Sequence, residues 1–336
     1  MSFANGNGTE IVISTPLRTA IGTFGGALKD VPAVDLGTTV AKEVISRSGI
    51  DVEEINQVIV GNILMAGQGM NPARQVGINA GVPETSPAMT LNRMCASGLQ
   101  AIVSAAQEIA LGESDVILAG GIENMDMAPF LLPKGRYGYR MGLPDAKILD
   151  HMVYDGLWDK FNDYHMGVTA ENVAEQYGLS RDEVDEYSAR SHQRSEQARD
   201  EGYFDDQIVP VETKQKKETV EFTKDEHIRE GATKEGLSKL KPFFKEDGVT
   251  TAAETSLPAT GSPSSSALLA LVTSAIDAPS LTPLALAAVV TPSSLKNGLS
   301  LERPSFVAPS LMCSSLANST VSFFCLISTG TIWSSK

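Results

Sequence analysis

Short β-branched runs alternate with amphipathic segments over the first 120 residues, and this alternation limits the possible folds more than any other feature. Strand-like runs lie at 10–14, 56–60, 88–91 and 115–119, and helical periodicity lies at 34–47, 71–80 and 97–109. Such alternation is typical of a mostly parallel sheet with helices on both faces. We therefore predict an α/β fold in which the fourth of these strands ends at Gly120-Gly121.

The composition of the chain changes near residue 250. Residues 251–336 hold three acidic and three basic residues, so the whole formal net charge of −14 lies in the first 250 residues. This acidic balance argues against a polyanionic partner, and we expect no nucleic acid. The stretch 304–335 has no charge, but its frequent Ser and Thr do not predict a membrane helix. Within it, 321–328 is strand-prone.

Cysteine usage and the first residues of the sequence bear on the compartment. The opening residues lack a basic start followed by an apolar run, so we expect a cytoplasmic protein. Cys95, Cys313 and Cys325 are the three cysteines, and no Cys-x-x-Cys pair occurs. An odd number without such spacing argues against a disulfide framework and a structural zinc site, and we predict no metal site.

Cys95 lies where a predicted strand gives way to a predicted helix. The small residues Ala96, Ser97 and Gly98 follow it, so the backbone can turn tightly there. The positive end of a helix stabilises a thiolate, which is the nucleophilic form of cysteine. Cys95 is therefore a candidate nucleophile, and the alternative is a buried free cysteine that packs as a small hydrophobe.

The histidines are the candidate bases. His165 lies in a predicted loop just before a helix expected at 169–175, where its side chain can face a cleft. His192 lies in a highly charged helix predicted over 181–201 and capped by Ser180, and we expect it to be solvated. A Cys-His acyl-transfer site is possible, but spacing does not show that any histidine reaches Cys95.

Six motifs in order then identify a resemblance. They lie at 18–28, 69–75, 92–99, 120–125, 164–172 and 228–233, the last with Leu-Lys-Pro-Phe at 240–243. Over residues 10–248 the chain resembles the thiolase family, and more closely its biosynthetic type, the acetyl-CoA C-acetyltransferases. The resemblance implies a layered α-β-α half at 1–121, an inserted loop domain for coenzyme A binding and oligomerisation at 122–248, and an atypical tail at 249–336.

The resemblance also implies an activity in fatty acid metabolism. Cys95 would take the acetyl group of acetyl-CoA, and a second acetyl-CoA would condense with it to acetoacetyl-CoA, or the reverse thiolysis would occur. His165 and Met166 would lie on the pantetheine side of coenzyme A, and Arg229 at its nucleotide end. The family resemblance implies no permanently bound cofactor, and a dimer or tetramer through a loop similar to 136–140.

The tail departs from the family pattern. The family's second half carries Asn-Glu-Ala-Phe, Gly-His-Pro and Cys-x-Gly segments, and none of the three occurs in this sequence. We interpret the tail as an out-of-frame translation, which the coding DNA tests, with a genuine Ser-rich tail as the alternative. Other interpretations also stay open: an inactive fragment that binds coenzyme A or pairs with an intact subunit, a ketoacyl synthase, and a Cys95–His165 hydrolase.

Overall fold

The computed structural model describes residues 2–4, 10–139, 147–215, 218–253 and 319–329. The strands are β1 (Ser2–Ala4), β2 (Glu10–Thr19), β3 (Gly22–Thr23), β4 (Gln57–Gly61), β5 (Ala88–Leu91), β6 (Val116–Asn124), β7 (Phe130–Leu131), β8 (Leu149–Asp150), β9 (Trp158–Asp159), β10 (Tyr164–His165), β11 (Ile208–Val209), β12 (Val211–Gln215), β13 (Glu218–Phe222) and β14 (Ser319–Thr329). The helices are α1 (Ala33–Ser48), α2 (Pro72–Ala80), α3 (Ser97–Leu111), α4 (Met166–Tyr177), α5 (Arg181–Asp200) and α6 (Lys234–Leu237).

One large mixed sheet carries the strands predicted from the first 120 residues. Its order is β1-β2-β14-β6-β4-β5, with β3 beside β14 and β11 beside β2. Strand β4 is parallel to β5 and β6, whereas β14 is antiparallel to both β2 and β6. The predicted α/β fold is confirmed, and the strand-prone segment 321–328 supplies an antiparallel strand inside the sheet.

Helices cover both faces of this sheet, as the alternation predicts. Successive strand side chains point to opposite faces, so each strand contributes to two cores. One core joins α1 and α2 to the sheet through Val40, Val44, Val58, Val60, Val76, Val116 and Leu118. The other joins α3 to the sheet through Ile59, Ala101, Ala105, Ile109, Ile117 and Ala119. The result is an α-β-α arrangement of layers.

Strand β6 is longer than predicted. It runs through Gly120 and Gly121 to Asn124, so the predicted end at the two glycines is wrong. The glycines stay in the sheet because both lie between paired strands: Gly120 is opposite Phe324 of β14, and Gly121 is opposite Gly61 of β4. Backbone pairing on two sides outweighs the low strand preference of glycine.

The chain forms two compact units. The first comprises Met1–Trp158, Phe204–Glu226 and Asn318–Lys336, and the second comprises Asp159–Tyr203 and His227–Ala317. The predicted domain boundaries at 121 and 248 stay predictions. In the second unit, small apolar clusters join α4 to α5 and α5 to α6.

Helix α3 lies in an apolar window that is long enough to span a membrane by length and composition. This window is Met94–Leu111, and a third of it is buried. Ala101, Ala105 and Ile109 of α3 pack on the sheet, which is typical of a core helix in a soluble fold.

Candidate active site

Cys95 lies at the edge of the sheet where the parallel strands end. Strand β4 is parallel to both β5 and β6, so the carboxyl ends of the three strands lie at one edge of the sheet. Cys95 follows β5 and precedes the first residue of α3 by two positions, and it is half-buried. Ligands of open α/β sheets bind outside this edge, so the position fits the predicted nucleophile.

A strained turn presents Cys95. Met94 has a φ of +50°, in the left-handed region that residues other than glycine seldom adopt. The turn is held by side chains, since Asn92 Oδ1 accepts from Met94 N at 2.9 Å and Ser97 Oγ accepts from Arg93 N at 2.8 Å. The Ser97 hydroxyl in turn donates to the carbonyl of Met94. Backbone strain of this kind clusters at functional sites.

The N-terminus of α3 favours a negative charge nearby. Its N-cap is Ala96, which gives no side-chain hydrogen bond, and its first turn carries no acidic residue. The positive end of the helix dipole is therefore not neutralised by its own cap or first turn, and such an end favours an anion, such as a thiolate, placed close to it. Cys95 is disulfide-bonded in the structure, so the nucleophile is available in the reduced protein.

Cys325 differs from Cys95 in every one of these respects. It lies in the middle of β14, is only 2% exposed, and its Sγ is 3.8 Å from the carbonyl oxygen of Ala119. Burial raises the pKa of its thiol to about 12. Cys325 therefore packs as a small hydrophobe, and Cys313 lies outside the described residues.

A buried carboxylate lies at the same edge of the sheet. Glu123 Oε2 accepts from Ile63 N at 2.9 Å, and Oε1 accepts from Leu64 N at 3.2 Å and from Asn62 Nδ2 at 3.0 Å. Burial raises the pKa of Glu123 to about 7, although the three hydrogen bonds lower it. The carboxyl group thus fixes the segment that follows β4.

His165 and Met166 lie at the start of α4. Met166 is buried, and His165 Nδ1 accepts from Gly167 N at 3.0 Å, which caps the helix. The imidazole stacks on Phe244 with ring centroids 5.0 Å apart, and burial lowers the pKa of His165. Gly167 is needed here because a Cβ would lie 2.2 Å from the Phe244 ring. A neutral ring stacked on an aromatic side chain makes a flat apolar wall.

Arg229 lies in the same compact unit as His165. Its Nη2 donates to Ala252 O at 3.2 Å, and its backbone N donates to His192 Nδ1 at 3.3 Å. His192 is fully buried, so the expectation that it is solvated is wrong. Burial lowers the pKa of His192 to about 4, with a further lowering by the charge of Arg229. The neutral imidazole accepts from the backbone that carries Arg229.

The structure brings three of the four predicted site residues into one unit. His165, Met166 and Arg229 belong to the second unit, whereas Cys95 belongs to the first.

Within the loop 136–140, Arg136 is exposed, and Arg140 lies outside the described residues. Among the described residues, no group of three or more His, Cys, Asp or Glu side chains could hold a metal ion.

Sequence reasoning missed Glu123 and Asn62 as individual site residues. Glu123 is the one ionisable residue of β6, a strand whose other members are apolar or small apart from Asn124. A carboxylate inside an otherwise buried strand needs donors, and this is the feature that could have singled it out.

Comparisons with known proteins agree with the motifs. The family described as "Thiolase, N-terminal domain" matches residues 11–270. A "Probable acetyl-CoA acyltransferase" of Staphylococcus aureus (strain MRSA252) is 51% identical over 249 residues, which are 74% of this chain and 63% of that protein. The chain therefore spans about 63% of the length of the curated relatives it matches.

Solved structures are similar as well. The crystal structure of the Bacillus anthracis acetyl-CoA acetyltransferase has a TM-score of 0.69 and 43% identity, covering 73% of this chain and 61% of that one. The acetyl-CoA acetyltransferase of Syntrophomonas wolfei has a TM-score of 0.74 and 32% identity, covering 97% of this chain and 66% of that one.

Proposed function

The chain belongs to the thiolase family through its N-terminal domain, and from this premise we propose that reduced Cys95 accepts the acetyl group of acetyl-CoA. The observation that carries the proposal is the half-buried position of Cys95 just before an uncapped helix N-terminus. The names of its relatives supply the substrate class, because they are acetyl-CoA acyltransferases and acetyltransferases.

The first step is a thioester exchange. The Cys95 thiolate attacks the carbonyl carbon of acetyl-CoA, the bond from carbon to the coenzyme A sulfur breaks, and coenzyme A leaves as its thiolate. Because one thioester replaces another, the step is nearly balanced, and the protein mainly has to supply the thiolate and stabilise the oxyanion. The α3 N-terminus serves the first of these needs.

The coenzyme A part of the substrate is assigned to the second unit. His165 and Met166 would contact the pantetheine, and Arg229 would contact the nucleotide end. Arg229 is half-buried, and a guanidinium group is suited to binding a phosphate. His165 is kept neutral by burial, which suits an uncharged pantetheine chain.

The complete reaction would condense the acetyl group with a second acetyl-CoA to give acetoacetyl-CoA, or run in reverse as thiolysis. Both of its steps use groups that the family resemblance places in segments not found in this sequence. A positioned base is worth about 10²–10⁴ in rate, so we expect acetyl transfer to Cys95 to be slower by about this factor than in a full-length relative. We further propose a cytoplasmic homo-oligomer.

Acetyl-CoA itself tests the proposal. The reduced protein is incubated with acetyl-CoA, and the peptide that contains Cys95 is analysed by mass spectrometry, with Cys95→Ser as the control. We expect one acetyl group per chain on Cys95 and none on the variant. Binding of coenzyme A without acetylation would instead support the fragment interpretation, and release of acetate without a transferable acetyl group would support a hydrolase.

A further inference from the structure

We propose that Glu123 is a positioning residue for Cys95, because it fixes the end of β4 on which the first turn of α3 rests. The inference deepens the proposed function and rests on it for the role of Cys95. Glu123 does not touch the reacting atoms, so its effect passes through the backbone of β4 and α3.

The first link is the attachment of the segment after β4 to the end of β6. The backbone pairing of β4 with β6 reaches its last pair at Gly61 and Gly121. After this pair the two segments are joined by side-chain hydrogen bonds. Asn62 Nδ2 donates to Ile122 O at 3.1 Å and also to Glu123. Asn62 is fully buried and Glu123 is 7% exposed, so water does not replace these hydrogen bonds.

The second link is the contact between the end of β4 and α3. A Cβ on Gly61 would lie 2.3 Å from the carbonyl carbon of Ser97 and 2.5 Å from the backbone N of Gly98. The two backbones therefore touch directly, and a shift at the end of β4 displaces the start of α3. Ser97 also holds the turn before it through Arg93 N, so the displacement reaches Cys95.

The chemistry of the carboxylate explains why no other side chain serves equally well. Glu123 receives three N–H donors, from Asn62, Ile63 and Leu64. Above its pKa of about 7 the side chain is ionised, and an ionised carboxylate is an acceptor only. A glutamine of the same shape would direct an amide N–H at one of these donors. One hydrogen bond would be lost and two donors would face each other in a buried place.

The experiment compares two isosteric variants with the wild type. Glu171 is the matched control, because it is also buried and its carboxylate accepts from Val249 N at 2.9 Å and Thr250 N at 2.8 Å, but it lies in the other compact unit. Reduced wild type, Glu123→Gln and Glu171→Gln are alkylated with iodoacetamide across pH, and modification of Cys95 is followed on its peptide.

We expect Glu123→Gln to raise the pKa of the Cys95 thiol and so to lower its alkylation rate near neutral pH about tenfold, because a displaced start of α3 stabilises the thiolate less. Glu171→Gln should stay within about twofold of the wild type, because its segment does not support α3. An unchanged rate in Glu123→Gln, or an equal fall in both variants, overturns the proposal.

A second variant covers the case in which Glu123→Gln does not fold. Asn62→Ala removes one donor to Glu123 and the link to Ile122, and we expect a fall of about threefold, with an unchanged rate counting against the proposal. Failure of the proposed function can be distinguished from failure of the positioning role. If acetyl-CoA does not acetylate wild-type Cys95 but Glu123→Gln still slows alkylation, the positioning role stands and the transferase activity does not.

Discussion

Glu123 and Glu171 are two buried carboxylates that make similar hydrogen bonds in different parts of the fold. Each accepts from two consecutive backbone N–H groups, Ile63 and Leu64 for the first and Val249 and Thr250 for the second. The segment held by Glu123 contacts the helix start that presents Cys95, whereas the segment held by Glu171 accepts a hydrogen bond from Phe243 N at Thr250 O. The two carboxylates make similar hydrogen bonds. Only the segment held by Glu123 leads to a contact with the start of α3, and this contact is the basis of its proposed role.

The contact between β4 and α3 can be broken by a single methyl group. Gly61→Ala should lower the free energy of unfolding by about 3 kcal/mol, because the added Cβ meets the Ser97 backbone at 2.3 Å. Urea unfolding measures this. Gly156→Ala is the control, since its Cβ would meet only Leu64 Cδ2 at 3.4 Å, and it should change stability by under about 1 kcal/mol. Equal effects of the two variants would contradict the close contact.

Glu123 should also give stability a distinctive pH dependence. Its folded pKa is raised from 4.5 to about 7, so its contribution is fully present below pH 4.5 and is lost as pH rises through 7. The wild type should therefore lose up to about 3 kcal/mol relative to Glu123→Gln between pH 4.5 and pH 8. Urea unfolding of both proteins at several pH values tests this, and a difference that is constant with pH would count against it.

His192, in the second unit, should change stability with pH in the opposite direction to Glu123. Its folded pKa is lowered from 6.5 to about 4, so its contribution is present above pH 6.5 and is lost as pH falls towards 4. His192→Asn keeps an acceptor for Arg229 N but does not titrate. The wild type should lose up to about 3 kcal/mol relative to this variant between pH 7 and pH 4, as measured by urea unfolding. Parallel pH curves would show that His192 is not held neutral.

The smallest expected effect is at the start of α5, an element that carries neither Glu123 nor Glu171. Ser180 and Glu183 form a capping box, so Ser180→Ala should cost about 1 kcal/mol in thermal or urea unfolding. Ser180→Thr keeps the hydroxyl and should cost less. The alkylation rate of Cys95 should be unchanged in both, and a change would mean that stability alone controls that rate.

Local patterns predicted the elements well where one face is apolar. The periodicity at 34–47 became α1 within a residue or two, because its apolar face packs on the sheet. The run at 88–91 became β5 with the predicted bounds. Helix α5 also formed where Ser180 predicted its start. The buried side of α5 is made largely of small polar residues, however, so its pattern did not reveal that His192 is buried.

Contacts between distant segments could not be predicted from the sequence. The strand-prone run at 321–328 predicted β14, but not its place between β2 and β6, because pairing depends on partners about 200 residues or more away. Likewise, Glu123 and the segment after β4 lie about 60 residues apart, and their hydrogen bonds follow from the parallel alignment of β4 and β6. Cys95, by contrast, could be singled out from the sequence because neighbouring residues, Asn92 and Ser97, hold the turn that contains it.

The most direct test of the account is the pKa of the Cys95 thiol, measured from the pH dependence of its alkylation in the reduced protein. We predict a value clearly below the usual 8.5 or so of a free cysteine, because the uncapped start of α3 stabilises the thiolate. Cys325, buried in β14, should stay unmodified under the same conditions. A Cys95 pKa at or above that of free cysteine would contradict the proposal that this helix start activates the sulfur.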